Sequence, residues 1–66
     1  MNVIINGGAH DVPDGATTAD AVRILTAASS GVAVAVNGEV VTRSAWESTT
    51  LTDGDQVEVL TAVQGG

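Results

Sequence analysis

Two Asn-Gly dipeptides, Asn6-Gly7 and Asn37-Gly38, each stand between short runs of apolar residues. Both residue types tolerate the positive φ of a two-residue hairpin turn, so each dipeptide predicts two antiparallel strands. In the first hairpin, "MNVIIN" places Val3 and Ile5 on one face of a strand and Ile4 on the other. A return strand is expected over Ala9 to Val12, ended by Pro13. The second hairpin, "VAVAVNGEVV", carries the stronger signal. A last strand is expected from Gln56 to Leu60, after a turn at Asp53-Gly54.

The period changes between the hairpins. In "TTADAVRILTAASSG", Ala21, Ile24, Leu25 and Ala28 recur at i, i+3, i+4 and i+7, which predicts one apolar helical face. Thr17 or Thr18 caps its start; Thr17 with Asp20 three residues on has the form of a capping box. Ser29-Ser30-Gly31 is expected to end the helix, with Gly31 as a left-handed cap. "TRSAWESTT" reads as irregular, with one helical turn around Ser44 to Glu47. Five strands and one helix in the order β-β-α-β-β-β predict an α+β fold. The economical solution is one mixed sheet curled over one face of the helix, with the first and last strands side by side.

A chain of 66 residues is one domain and buries only about 60% of its unfolded surface. It has no Cys, so neither a disulfide nor a thiolate metal site supports the core. Its one His and scattered carboxylates form no metal-ligand pattern. Eight acidic residues against two Arg give a net charge of −6, which argues against nucleic acid binding and favours basic partner surfaces. No apolar run approaches the length of a membrane span. The start "MNVIING" lacks the pattern of a signal peptide. A cytoplasmic protein is expected.

Side chains offer little chemistry. His10 and Asp11 are neighbours on a strand and point to opposite faces, so they make no general-base pair. Asp53 and Asp55 shape the Asp-Gly turn or stay solvated. Ser29, Ser30 and Ser44 have no base partner. Trp46 reads as a loop residue folded over the core edge, and Arg43 pairs with a partner carboxylate or a local acid. The chain is read as no enzyme. Strand parity places Ile4, Ala33, Ala35 and Leu60 on the outer face of the sheet. They form either a flat docking patch or a set of ordinary surface aliphatics.

The end of the chain is more distinctive. "TAVQGG" closes on two glycines that contribute no packing. Such an end can thread a narrow channel in another protein and present its carboxylate there. A lone Gly-Gly is a weak motif. Its place at the end of a strand–helix–strand domain gives it weight.

Residues 32 to 66 resemble the C-terminal half of the sulfur carrier proteins of thiamin biosynthesis. The resemblance rests on the Val-rich strand, "NGE", Arg43 with Trp46, "LTDGD" at Leu51 to Asp55, and the closing Val-x-Gly-Gly. Residues 1 to 31 carry only the general pattern. Thr42 stands where the family often has proline, which bears on loop rigidity.

The resemblance implies a ubiquitin-like β-grasp fold, with a domain over residues 1–62 and a flexible tail over 63–66. It implies that Gly66 bears the sulfur and that Gly65, Gln64, Val63 and Ala62 line the entry channel. A ubiquitin-activating-type adenylyltransferase would activate Gly66 with ATP and Mg, which belong to that enzyme; no cofactor is expected on this chain. A cysteine-derived sulfur donor would convert the end to a thiocarboxylate, and thiazole synthase would receive the sulfur. The same tail would serve a carrier for molybdopterin, cysteine or transfer-RNA thiolation, or a ubiquitin-like protein modifier. A plain interaction module would leave the glycines without a role.

Overall fold

The computed structural model describes residues 1–27 and 30–61. Five strands form one mixed sheet in the order β2-β1-β5-β3-β4. They are β1 (Asn2–Ile5), β2 (Gly8–Asp11), β3 (Val32–Val36), β4 (Glu39–Val41) and β5 (Gln56–Thr61). One helix, α1 (Thr18–Leu25), packs on one face. β1 runs parallel to β5, and the other pairs are antiparallel. The first and last strands are therefore neighbours, as the element order requires.

Both Asn-Gly dipeptides make the expected turns. Asn6 and Gly7 have φ of 50° and 83°, and Asn37 and Gly38 have φ of 51° and 84°. Positive φ at both central residues is the type I′ turn, whose twist matches that of the flanking strands.

Strand parity decides the core. Val3, Ile5, Val34, Val57 and Val59 are buried on the helix side. Burying each such side chain contributes about 1.5 kcal/mol or more. Val12, Leu51 and Trp46 complete the cluster from the loops. β2 begins and ends one residue earlier than its composition implies, which leaves Val12 free to turn into the core.

The helix departs from its expected form. It ends at Leu25 rather than at Ser29-Ser30-Gly31, and Thr26 is its C-cap. Gly31 has φ of 69° but lies beyond the helix and leads into β3. The buried face is Thr18, Ala19, Ala21 and Val22, whereas Ile24 and Leu25 are 43% and 42% exposed. Ala28, the fourth member of the expected stripe, lies outside the described residues. The competing stripe won because it is centred on the small residues of the first turns. Thr18 is fully buried, and its hydroxyl is bonded to the Thr49 carbonyl.

The capping box is present. Thr17 N donates to Asp20 Oδ2 at 2.9 Å, and Asp20 N donates to Thr17 Oγ1 at 3.4 Å. The Thr17 amide, then the Thr17 hydroxyl at 3.3 Å and the Arg23 guanidinium at 2.8 Å, hold the Asp20 carboxyl below its ordinary range. The irregular stretch after β4 contains a 3₁₀ turn at Arg43–Ala45. Backbone bonds from Thr18 N to Thr49 O and from Leu51 N to Ala16 O pin its end to the start of α1.

Candidate functional site

β5 is the strand that precedes the closing glycines in the sequence. It lies at the centre of the sheet, between β1 and β3, and its last described residue is Thr61. Its start is fixed by Asp55, which accepts from Thr52 N at 2.8 Å, Asn37 Nδ2 at 2.9 Å and Thr52 Oγ1 at 3.0 Å. The Thr52 amide, then the Asn37 amide, hold the Asp55 carboxyl below its ordinary range. Asp53 Oδ1 accepts from Asn2 N at 2.7 Å and ties the same turn to β1. Both aspartates thus serve the turn. Ala62, Val63, Gln64, Gly65 and Gly66 lie outside the described residues, and so does the expected boundary between residues 62 and 63.

The outer face of the sheet is uncovered by α1. Leu60 stands directly opposite Ala33, and Glu58 opposite Ala35. Leu60 is 69% exposed, and Ala33 is exposed. Across the second hairpin Ala35 pairs with Val40, which is 77% exposed. Val40 belongs to this patch, and the strand reading passed it over. The signal was available: a two-residue turn at Asn37-Gly38 forces Val40 onto the alanine face.

Ile4 stands apart from the other three residues of the expected docking face. Its register partners are Gln56 on β5 and Ala9 on β2. The polar side chains of Gln56 and Glu58 therefore lie between Ile4 and the alanines. The face holds one compact apolar group of Leu60, Ala33, Ala35 and Val40, bordered by a carboxylate. Ile4 is half-buried at a separate place.

The helix side offers less chemistry. A groove of about 710 Å³ lies between α1 and the 3₁₀ turn, and both Arg23 and Arg43 line it. Arg23 reaches Asp20 at 2.8 Å and Glu47 at 3.6 Å. Arg43 lies over the Trp46 ring, 5.2 Å from its centroid, a cation–π arrangement. Trp46 itself is buried, with Nε1 donating to Val41 O at 3.0 Å. It is the core-edge residue that its loop position predicted. His10 pairs with Val3 on the helix side and Asp11 with Asn2 on the outer side, so the two do point apart. Among the described residues no group of three or more His, Cys, Asp or Glu is placed to hold a metal ion. None of their helices is long and apolar enough to cross a membrane.

Comparison with known proteins agrees with this architecture. The model of the ThiS family matches residues 3–66. The sulfur carrier protein ThiS of Escherichia coli (strain K12) is 29% identical over 66 residues, which span all of both chains. The crystal structure of the thiamine biosynthesis protein ThiS from Geobacter metallireducens is 36% identical. It superposes with a TM-score of 0.78 over the whole of both chains. A solution structure of a thiamine biosynthesis protein from the same organism gives a TM-score of 0.72. That match covers all of this chain and 88% of the other.

Proposed function

The chain belongs to the ThiS family, and on that premise we propose that it is a sulfur carrier of thiamin biosynthesis whose working group is the carboxylate of Gly66. The observation that carries this reading is the family match, which runs through Gly65 and Gly66. The fold supports it, because the strand leading to those residues is the central strand of the sheet.

A carboxylate is a poor acyl donor, since its carbonyl carbon carries no good leaving group. In the proposed cycle an activating adenylyltransferase first remedies this. The Gly66 carboxylate oxygen attacks the α-phosphorus of ATP and pyrophosphate leaves. Cysteine-derived sulfide, HS⁻, then attacks the acyl carbon, the bond from that carbon to the AMP oxygen breaks, AMP leaves, and loss of the proton gives the thiocarboxylate. Thiazole synthase takes the sulfur from there. ATP and its Mg act on the enzyme's side, and this chain supplies the acyl group, the approach and the docking face. Gly65, Gln64, Val63 and Ala62 are assigned the approach; glycine has no side chain, which suits a narrow channel. The group of Leu60, Ala33, Ala35 and Val40 is assigned the docking face; Ile4 lies apart from it, beyond Gln56 and Glu58. The chain itself performs no catalysis in this scheme.

The test is to incubate the chain with an activating enzyme, ATP and a sulfur donor, then treat it with a thiol-alkylating reagent. The sequence has no Cys, so a label on Gly66, located by mass spectrometry, reports the thiocarboxylate. An unlabelled chain in the presence of a competent enzyme overturns the reading.

A further inference from the structure

Each Asn-Gly turn fastens on β5 through its asparagine side chain. At the start of the strand, Gln56 N donates to Asn37 Oδ1 at 3.0 Å, and Asn37 Nδ2 donates to Asp55 Oδ1 at 2.9 Å. Toward its end, Val59 N donates to Asn6 Oδ1 at 2.8 Å, and Asn6 Nδ2 donates to Val59 O at 3.1 Å.

The second pair has a particular consequence. β1 ends at Ile5, and its last backbone bond to β5 runs from Asn6 N to Val57 O at 2.9 Å. Alternate residues of a strand direct their N–H and C=O groups to the same side. The N–H and C=O of Val59 therefore point toward β1, past the place where β1 has turned away. The Asn6 amide fills that place, making the donor and acceptor contacts of a further strand residue. It can do so because Asn6 adopts φ of 50°, which asparagine tolerates better than most residues. Val59 is itself buried, so its backbone groups need a partner.

We propose that Asn6 is a positioning residue for the carrier reaction. Its amide holds the strand at Val59, two residues before the strand ends at Thr61, and so fixes the base from which the reactive end is delivered. This rests on the carrier reading above. It assigns a role to a residue far from Gly66 in sequence that bears no reactive group.

Asn6→Gly separates this role from the turn, because glycine keeps the left-handed conformation and deletes only the amide. Asn37→Gly does the same at the other end of β5 and serves as the control. Adenylate formation by an activating enzyme, below the melting transition of each variant, is the readout. For N6G, kcat is expected to fall about tenfold with KM little changed, since a misdirected reactive end loses rate rather than docking. For N37G, kcat stays near wild type. A wild-type kcat in N6G, or an equal loss in N37G, overturns the proposal. Amide exchange of the free chain tests the clasp separately: the Val59 amide should exchange faster in N6G while the Val57 amide does not. Equal protection at Val59 also overturns it. If wild type forms no adenylate, the carrier reading fails and Asn6's part in the reaction fails with it, while the exchange result still decides the clasp.

Discussion

Leu60 stands directly opposite Ala33 on the uncovered face of the sheet, with its side chain 69% exposed. A large aliphatic beside small alanines makes a raised edge on a flat floor. Most of that edge stays exposed in the isolated chain, so its substitution separates docking from stability. Leu60→Ser is expected to change unfolding free energy by no more than about 0.5 kcal/mol. It should weaken binding to an activating enzyme about tenfold, the loss of one modest anchor. Val40→Ser should act in the same direction. Ile4→Ser should act less, because Gln56 and Glu58 intervene. Calorimetric titration of each variant against the enzyme checks the order, and a larger effect at Ile4 would reject this boundary of the patch.

Trp46 closes the core from the loop side and donates to the Val41 carbonyl. Trp46→Phe keeps most of the apolar contact and loses the indole bond, at a cost of about 1 kcal/mol. Trp46→Ala also leaves a cavity and costs about 3–5 kcal/mol, a large share of the stability of so small a domain. Urea unfolding followed by far-ultraviolet circular dichroism measures both, since the only tryptophan is removed.

Thr17 caps a helix of only 8 residues. Thr17→Ala removes the acceptor for the Asp20 amide and should cost about 1 kcal/mol. Thr17→Ser keeps the hydroxyl and should cost much less. Thermal unfolding of the pair distinguishes loss of the cap from loss of the side chain's bulk.

Acid should destabilise the domain through Asp55 and Asp20. Both carboxyls sit below the ordinary value of 3.8 in the folded chain. The stability they contribute is therefore complete above that value. It is lost as pH falls below 3.8 toward their folded values, because the unfolded chain then binds more protons. Asp55→Asn removes one of these two lowered carboxyls and keeps an oxygen that can accept from Thr52 N. Its urea midpoint should fall less steeply with acid than that of the wild type. An unchanged slope would reject the assignment to Asp55.

Much of this arrangement was legible in the chain. The Asn-Gly turns fixed two hairpins, and strand parity then placed Val3, Ile5, Val34, Val57 and Val59 inside. The capping pair of Thr17 and Asp20 was legible because it depends on local spacing alone. The helix face was not. Ile24 and Leu25 are the larger side chains, yet the buried face is Thr18, Ala19, Ala21 and Val22, with Thr18 held against the Thr49 carbonyl of the loop. The distance between Ile4 and the alanines was not legible for a related reason. Parity gives the face of a side chain, whereas its neighbours depend on the register between strands far apart in sequence. The Asn6 clasp lay beyond reach for the same cause, since it joins residues at opposite ends of the chain.

The neighbouring of β1 and β5 bears on how the protein is made. The β1–β2 and β3–β4 hairpins share no ladder in the sheet and are joined only through β5. A ribosome that has released both hairpins has still produced two unsealed halves, each with an open edge. The seam is the strand translated last. Contacts so distant in sequence are slow to form. A chain truncated before β5 leaves both hairpins with an unpaired edge, so completion of the sheet waits on β5.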